Sequence, residues 1–228
     1  MFLLLLSTTA NSDIISGSIQ GTVSSVFEYA EGSDLPSSVM NGQPILLEFE
    51  LDSDAIPDVV NATTKTYGQN IHLNMKVTIG TDVWDMTTET STGTSAVALT
   101  KTGTADGVTL VTTHSDGAME DAFPGLEFDT DSGDPNASIS IQLLDVSSPF
   151  QLLASTDLSD LPTLDRTQIT AVLFDLSTYN NDPAFERGYE VSGTFDFNSL
   201  VIVPEPSSIA MALSLIGAFG MIFWKRGT

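Results

Sequence analysis

The sequence predicts an all-β protein, a single antiparallel β-sandwich of jelly-roll-like character, followed by one C-terminal transmembrane helix. Three observations predict it. Apolar residues recur with period two through the body of the chain, Gly-containing turn pairs separate those runs, and the C-terminus carries an uncharged apolar stretch of membrane-spanning length.

From the N-terminus, Met1 to Leu6 are apolar and lead into the small residues Ser7-Thr8-Thr9-Ala10, as at a signal-peptide cleavage site. A complete secretory signal has a basic start and about 7–15 apolar residues. Here the run is shorter and the first cation is Lys65. Residues 1–12 are therefore read as the remnant of a signal peptide that starts upstream, and residues 13–200 as the exported domain.

Within that domain Ile45, Leu47, Phe49 and Leu51 alternate with polar residues. Ile71, Leu73, Met75, Val77 and Ile79 do the same against His72, Asn74, Lys76 and Thr78. Each run reads as a strand with one buried face. Shorter alternations occur at Ile139, Ile141 and Leu143, and at Val172, Phe174 and Leu176. A last one has Tyr189, Val191, Phe195 and Phe197 around Gly193. Residues 19–27, 96–99 and 108–113 are weaker strand candidates. Asn41-Gly42, Asp106-Gly107, Asp116-Gly117 and Ser132-Gly133 are turn signals between them. Only residues 153–164 suggest a helical turn, with Asp157 or Ser159 as its cap. Many short strands with such turns imply a sandwich.

Composition narrows the function classes. The formal charge is −23, from 30 acidic and 7 basic residues, so phosphate-backbone binding is excluded and no nucleic acid is expected as a partner. Hydrophobic residues make up 41% and charged residues 16%, the balance of a folded chain. The absence of Cys leaves core packing and bound ions to stabilise an exported domain.

The C-terminus reads Val203-Pro204-Glu205-Pro206, then an uncharged apolar stretch over residues 207–224, then Lys225-Arg226. At about 1.5 Å per residue that stretch spans roughly 27 Å as a helix, just enough for a bilayer core of about 30 Å. Trp224 suits the interface, and Lys225 and Arg226 stay cytoplasmic by the positive-inside bias. Pro204 and Pro206 keep the preceding backbone extended, open to a protease.

This order of box, span and basic tail resembles the PEP-CTERM sorting signal, over residues 203–228. The resemblance implies processing by exosortase, a membrane-embedded cysteine protease of Gram-negative bacteria that make extracellular polysaccharide. It also implies export through the inner membrane, transient anchoring there, and delivery to the envelope or the extracellular space. The body resembles ectodomains often found before this tail. It carries a "G-x-V-x-S-V-F" strand at Gly21-Thr22-Val23-Ser24-Ser25-Val26-Phe27 and, with one extra Leu, an "I-x-L-x-D" strand at Ile141-Gln142-Leu143-Leu144-Asp145. Asp160-Leu161-Pro162 matches their turn, and Gly193-Thr194-Phe195-Asp196-Phe197 their closing strand. Such ectodomains name no activity.

No catalytic residue is assigned. The only histidines are His72 and His114. His114-Ser115-Asp116 holds the residue types of a hydrolase triad, but neighbours on an extended chain point to opposite faces. Calcium is the small ligand that the sequence suits best. Asp129, Asp131 and Asp134 place carboxylates around Gly133, as hard oxygen sites do. Asp52, Asp54 and Asp58 form a poorer cluster. Trp84, Tyr67 and Tyr179 are the aromatics considered for glycan contact. The expectation is a non-enzymatic surface or matrix protein, structural or adhesive, in an exopolysaccharide or biofilm setting. The alternatives are a glycan-binding module on the same scaffold and, behind it, a secreted glycan-active hydrolase.

Overall fold

A computed structural model describes residues 14–29, 35–68, 71–86, 94–114, 135–180 and 187–204. These residues form β1 (Ile14–Glu28), β2 (Pro44–Asp52), β3 (Val59–Val60), β4 (Thr64–Tyr67), β5 (Leu73–Ile79) and β6 (Asp82–Met86). They continue with β7 (Thr94–Lys101), β8 (Asp106–His114), β9 (Pro135–Asp145), β10 (Ala171–Asn180) and β11 (Arg187–Pro204). All pairs are antiparallel, in one sheet ordered β3-β4-β7-β8-β9-β10-β11-β1-β2-β5-β6. The chain is all-β, and β7 to β11 run as an unbroken meander.

Two hydrogen bonds show that this sheet is not flat. Trp84 on β6 donates Nε1–H to the hydroxyl of Tyr189 on β11 at 2.8 Å, although three strands lie between them in the sheet order. At about 4.8 Å per strand a flat sheet would hold those two strands roughly 19 Å apart. Ser95 on β7 likewise donates to the Leu73 carbonyl on β5 at 3.4 Å, from seven places away in the order. The sheet therefore curls over, so that β6 reaches β11 and β7 reaches β5 around a hydrophobic core.

The fold-over occurs along β1 and β11. Pairing of β10 with β11 ends at Asp175 opposite Ser192, whereas β11 continues along β1 to Pro204. β1 pairs with β2 only from Ile14 to Thr22. Register shifts on β1 lie between Val23 and Ser25 and between Ser18 and Gln20, as expected where strands bend. Glycine is required at this bend. A Cβ on Gly21 would sit 2.6 Å from the Thr194 carbonyl oxygen, and one on Gly193 would sit 2.7 Å from Ile45 Cδ1. Rings cover the glycines instead: Phe195 and Phe174 pack with centroids 5.1 Å apart.

Alternation on β2 and β5 follows the sequence. Ile45, Leu47, Phe49 and Leu51 are buried, as are Leu73, Met75, Val77 and Ile79, and Ile71 is buried just before β5. Three expectations change. Phe197 is 36% exposed instead of facing the core. The reason is a wide bulge: Ser18 pairs with Val201, but Gln20 pairs with Asp196, so four residues of β11 face one of β1. Asp196 Oδ1 accepts the Asn198 N–H at 3.0 Å, Ser199 Oγ accepts the Gln20 N–H at 2.8 Å, and Leu200 and Ile202 take the core positions.

Asp106-Gly107 is not a turn but the start of β8, the turn being Thr102 to Ala105. Asp106 is fully buried, and its carboxylate accepts from Lys101 Nζ at 3.0 Å and the Leu153 N–H at 3.4 Å. Asp157 precedes a 3₁₀ turn, Leu158–Thr163, but does not cap it; its carboxylate pairs with Lys65.

Residues 146–170 form a strap across one end of the core, burying Leu152, Leu153, Leu158, Leu161, Leu164 and Ile169. Buried Asp145 anchors it by accepting the Ser147 N–H (2.9 Å) and hydroxyl (3.0 Å) and the Gln151 N–H (3.0 Å). Lys101 Nζ holds the Leu153 carbonyl, and the Tyr67 hydroxyl donates to the Thr156 carbonyl at 3.2 Å. The sheet continues through residue 204, past the domain edge expected at 200.

Among the described residues no helix is long and apolar enough to cross a membrane. The expected span, residues 207–224, and the signal remnant, residues 1–12, lie outside them.

Candidate functional site

The first two residues of the expected sorting box, Val203 and Pro204, lie inside the sheet. Val203 pairs with Ser16 and Pro204 with Ile15, so the last described residue of the domain lies beside the start of β1. Directly paired antiparallel residues are about 4.5–5.5 Å apart at Cα. The two ends of the folded domain therefore leave it side by side. Val203 is extended and half exposed, and Pro204 closes the strand, a position that tolerates its missing N–H. Glu205, Pro206, Lys225 and Arg226 lie outside the described residues, as do Asp129, Asp131 and Asp134, the carboxylates expected to hold calcium.

Asp52 and Asp58 serve their own backbone. Asp52 Oδ1 accepts the Asp54 N–H at 2.9 Å, and Asp58 Oδ2 accepts the Gly68 N–H. Among the described residues no three His, Asp or Glu side chains gather as a metal site. His72 stands on the outer face of the sheet, its Nε2 3.1 Å from Asn74 Nδ2, and His114 ends β8 opposite Ala137.

The aromatics considered for glycan contact are placed otherwise. Trp84 is fully buried and Tyr67 is 2% exposed, so neither offers a ring face to a sugar. Their polar ends are satisfied internally, by Tyr189 and by the Thr156 carbonyl, which is why such large side chains serve the core. Burial pushes the hydroxyls of Tyr67 and Tyr189 up. Tyr179 lies on β10 opposite Gly188 and Asn136.

The exposed aromatics are different residues. Phe27 near the end of β1 and Tyr29 just beyond it are 58% and 41% exposed, with ring centroids 5.1 Å apart and planes at 81°. The Tyr29 hydroxyl donates to Glu190 Oε2 at 3.2 Å. Glu190 is the cross-strand partner of Phe27 and faces Ser177 on β10, beside Asp175. Burial, reinforced by repulsion from Glu190, pushes the Asp175 carboxyl up against the opposing hydrogen bond from Ser177. The sequence signal was the spacing Phe27-Glu28-Tyr29, two rings on one face of a strand.

A second polar surface lies on the outer face of β2, β5 and β6. Glu48, Glu50, Asn74, Lys76 and Asp85 line a shallow concavity of about 270 Å³, where Lys76 pairs with Glu48 at 3.6 Å. The described surface thus carries three features: the paired sheet residues Ile15 and Pro204, an aromatic–carboxylate strip and an open acidic concavity. Against protein-family models, curated proteins and solved structures, the chain matches none.

Proposed function

We propose that the chain is an exported surface or matrix protein of a Gram-negative bacterium, with a structural or adhesive role in an exopolysaccharide or biofilm setting. In this reading its domain is a two-layer β-sandwich whose layers share β1 and β11 at the bend. Residues 207–224 anchor it in the inner membrane, and exosortase acts at Val203-Pro204-Glu205-Pro206 to release it to the envelope or the medium.

The observation that carries this reading is the pairing of Ile15 with Pro204. A domain tethered through its C-terminus, and exported through its N-terminus, is well served by having both ends at one place on its rim. Only Glu205 and Pro206 separate Pro204 from the first span residue, Ser207, so the domain would sit close to the membrane until it is cut. The acidic, Ser- and Thr-rich surface suits a hydrated polymer and keeps copies apart. Calcium at Asp129, Asp131 and Asp134 belongs to the same proposal, as an ion that would stabilise a domain lacking disulfides.

Protease treatment of intact cells tests the topology. The expected result is digestion of residues 14–204 from outside once the tail is processed; with exosortase deleted, the protein should stay in the inner membrane and be digested only when the outer membrane is permeabilised. Protection of the domain in cells with a permeabilised outer membrane would place it in the cytoplasm and end the reading.

A further inference from the structure

The strip at the end of β1 has the elements of a ligand site. Two large rings stand in water, meeting nearly at right angles, although the domain has a core that buries rings elsewhere. β2 pairs with β1 only as far as Thr22, so Phe27 lies beyond the stretch of β1 that β2 covers. The Tyr29 hydroxyl is fixed by Glu190, and Asp175 stands beside Glu190 on the same face. Beyond them the register continues the row through Ser177, Ser138 and Thr113, on β10, β9 and β8. From β1 to β8 that row crosses four strand spacings, about 19 Å.

We propose that this strip binds a polysaccharide of amino sugars carrying free ammonium groups. The apolar face of a pyranose ring packs against Phe27. An ammonium is drawn to the ring faces of Phe27 and Tyr29 and to the carboxylates of Glu190 and Asp175. Ser177, Ser138 and Thr113 supply hydroxyls to the neighbouring sugar units along the row. Charge selects among glycans: a chain of net charge −23 repels anionic polysaccharides and concentrates cationic ones at its surface. The elevated Asp175 carboxyl fits this too, since a cation placed between two crowded carboxylates relieves their repulsion. A basic peptide matches the charge, but it has no use for a hydroxyl row of this length beside the rings. The proposal holds for the purified protein whether or not its tail is processed.

Sedimentation of the full chain, in non-ionic detergent at 0.15 M salt, with insoluble chitosan, chitin and cellulose tests it. Binding to chitosan is expected, with weak binding to chitin and cellulose. Phe27→Ala and Glu190→Gln should each weaken chitosan binding at least about fivefold with the melting temperature unchanged, as one ring or one charge lost at such a site implies. Asp54→Asn, which removes the same charge at a distant turn, should leave binding unchanged. Chitosan binding unaltered by Phe27→Ala and Glu190→Gln would overturn the proposal, leaving diffuse charge attraction alone. Equal binding to chitin would overturn the role of the ammonium. Absence of chitosan binding, with polylysine binding that depends on Phe27 and Glu190, would make the strip a peptide site instead.

Discussion

Removing the Tyr189 hydroxyl tests whether the two halves of the sheet are held face to face. Trp84 and Tyr189 are 0% and 1% exposed, and a 2.8 Å hydrogen bond joins them from β6 to β11. Tyr189→Phe keeps the ring but leaves the Trp84 N–H buried without an acceptor, which costs about 1–3 kcal/mol. For a domain of this size that corresponds to a fall of about 2–12 °C in Tm. Trp84→Phe costs about 2–4 kcal/mol, because it opens a cavity and removes the hydrogen bond to the Tyr189 hydroxyl. The double variant Trp84→Phe/Tyr189→Phe loses the same hydrogen bond only once and leaves no Trp84 N–H without its acceptor, so its cost should fall short of the sum by about 1–2 kcal/mol. Urea unfolding followed by far-UV circular dichroism, which needs no tryptophan, gives all three values. Additivity within about 0.3 kcal/mol, or a Tyr189→Phe protein as stable as the parent, would refute the contact and the fold-over it reports.

Leu73→Asp should unfold the domain or cost more than about 3 kcal/mol, whereas Asn74→Asp on the solvent side of β5 should cost under about 0.5 kcal/mol; thermal melts distinguish them. At Asp145 burial opposes ionisation, but hydrogen bonds from Ser147, Gln151 and Leu152 outweigh it and hold the carboxyl below its ordinary 3.8. A depressed carboxyl adds stability that is complete above the unfolded value and fades as pH falls through the folded one. Asp145→Asn should therefore destabilise at neutral pH and flatten the loss of stability below about pH 4 in an acid titration. Thermal stability should rise with NaCl and gain further from millimolar calcium at matched ionic strength. Asp131→Asn should abolish the calcium-specific gain, which a melt with and without the ion measures.

What the sequence made legible was what a single buried face dictates. β2 and β5 read correctly because each alternates over several residues against one core, and a one-residue slip would expose the whole set. Phe197 misled because periodicity assumes continuous pairing. The bulge opposite Ile19 is set by Asp196, Asn198 and Ser199, turn-forming residues embedded in an apparently alternating run. Asp106 misled in the opposite sense, since its partners, Lys101 and Leu153, come from other elements. β3, β4 and β6 are too short to carry a period of their own. The aromatic strip was half legible. The spacing of Phe27 and Tyr29 puts them on one face, but their exposure depends on β2 leaving β1 at Thr22, which no local pattern encodes. Trp84 and Tyr67 are the converse, conspicuous in the sequence and spent on the core.

The central claim is sorting by the C-terminal tail, and C-terminal peptide mapping by mass spectrometry tests it most directly. The protein is taken from the inner-membrane, envelope and secreted fractions of cells with and without exosortase. With exosortase, the envelope and secreted forms should end within or just after Val203-Pro204-Glu205-Pro206, lacking residues 207–224, Lys225 and Arg226. Without it, the full tail should remain and the protein should stay in the inner membrane. A protein that keeps Lys225-Arg226 in every fraction, with exosortase present, would contradict the account and leave a plain membrane anchor.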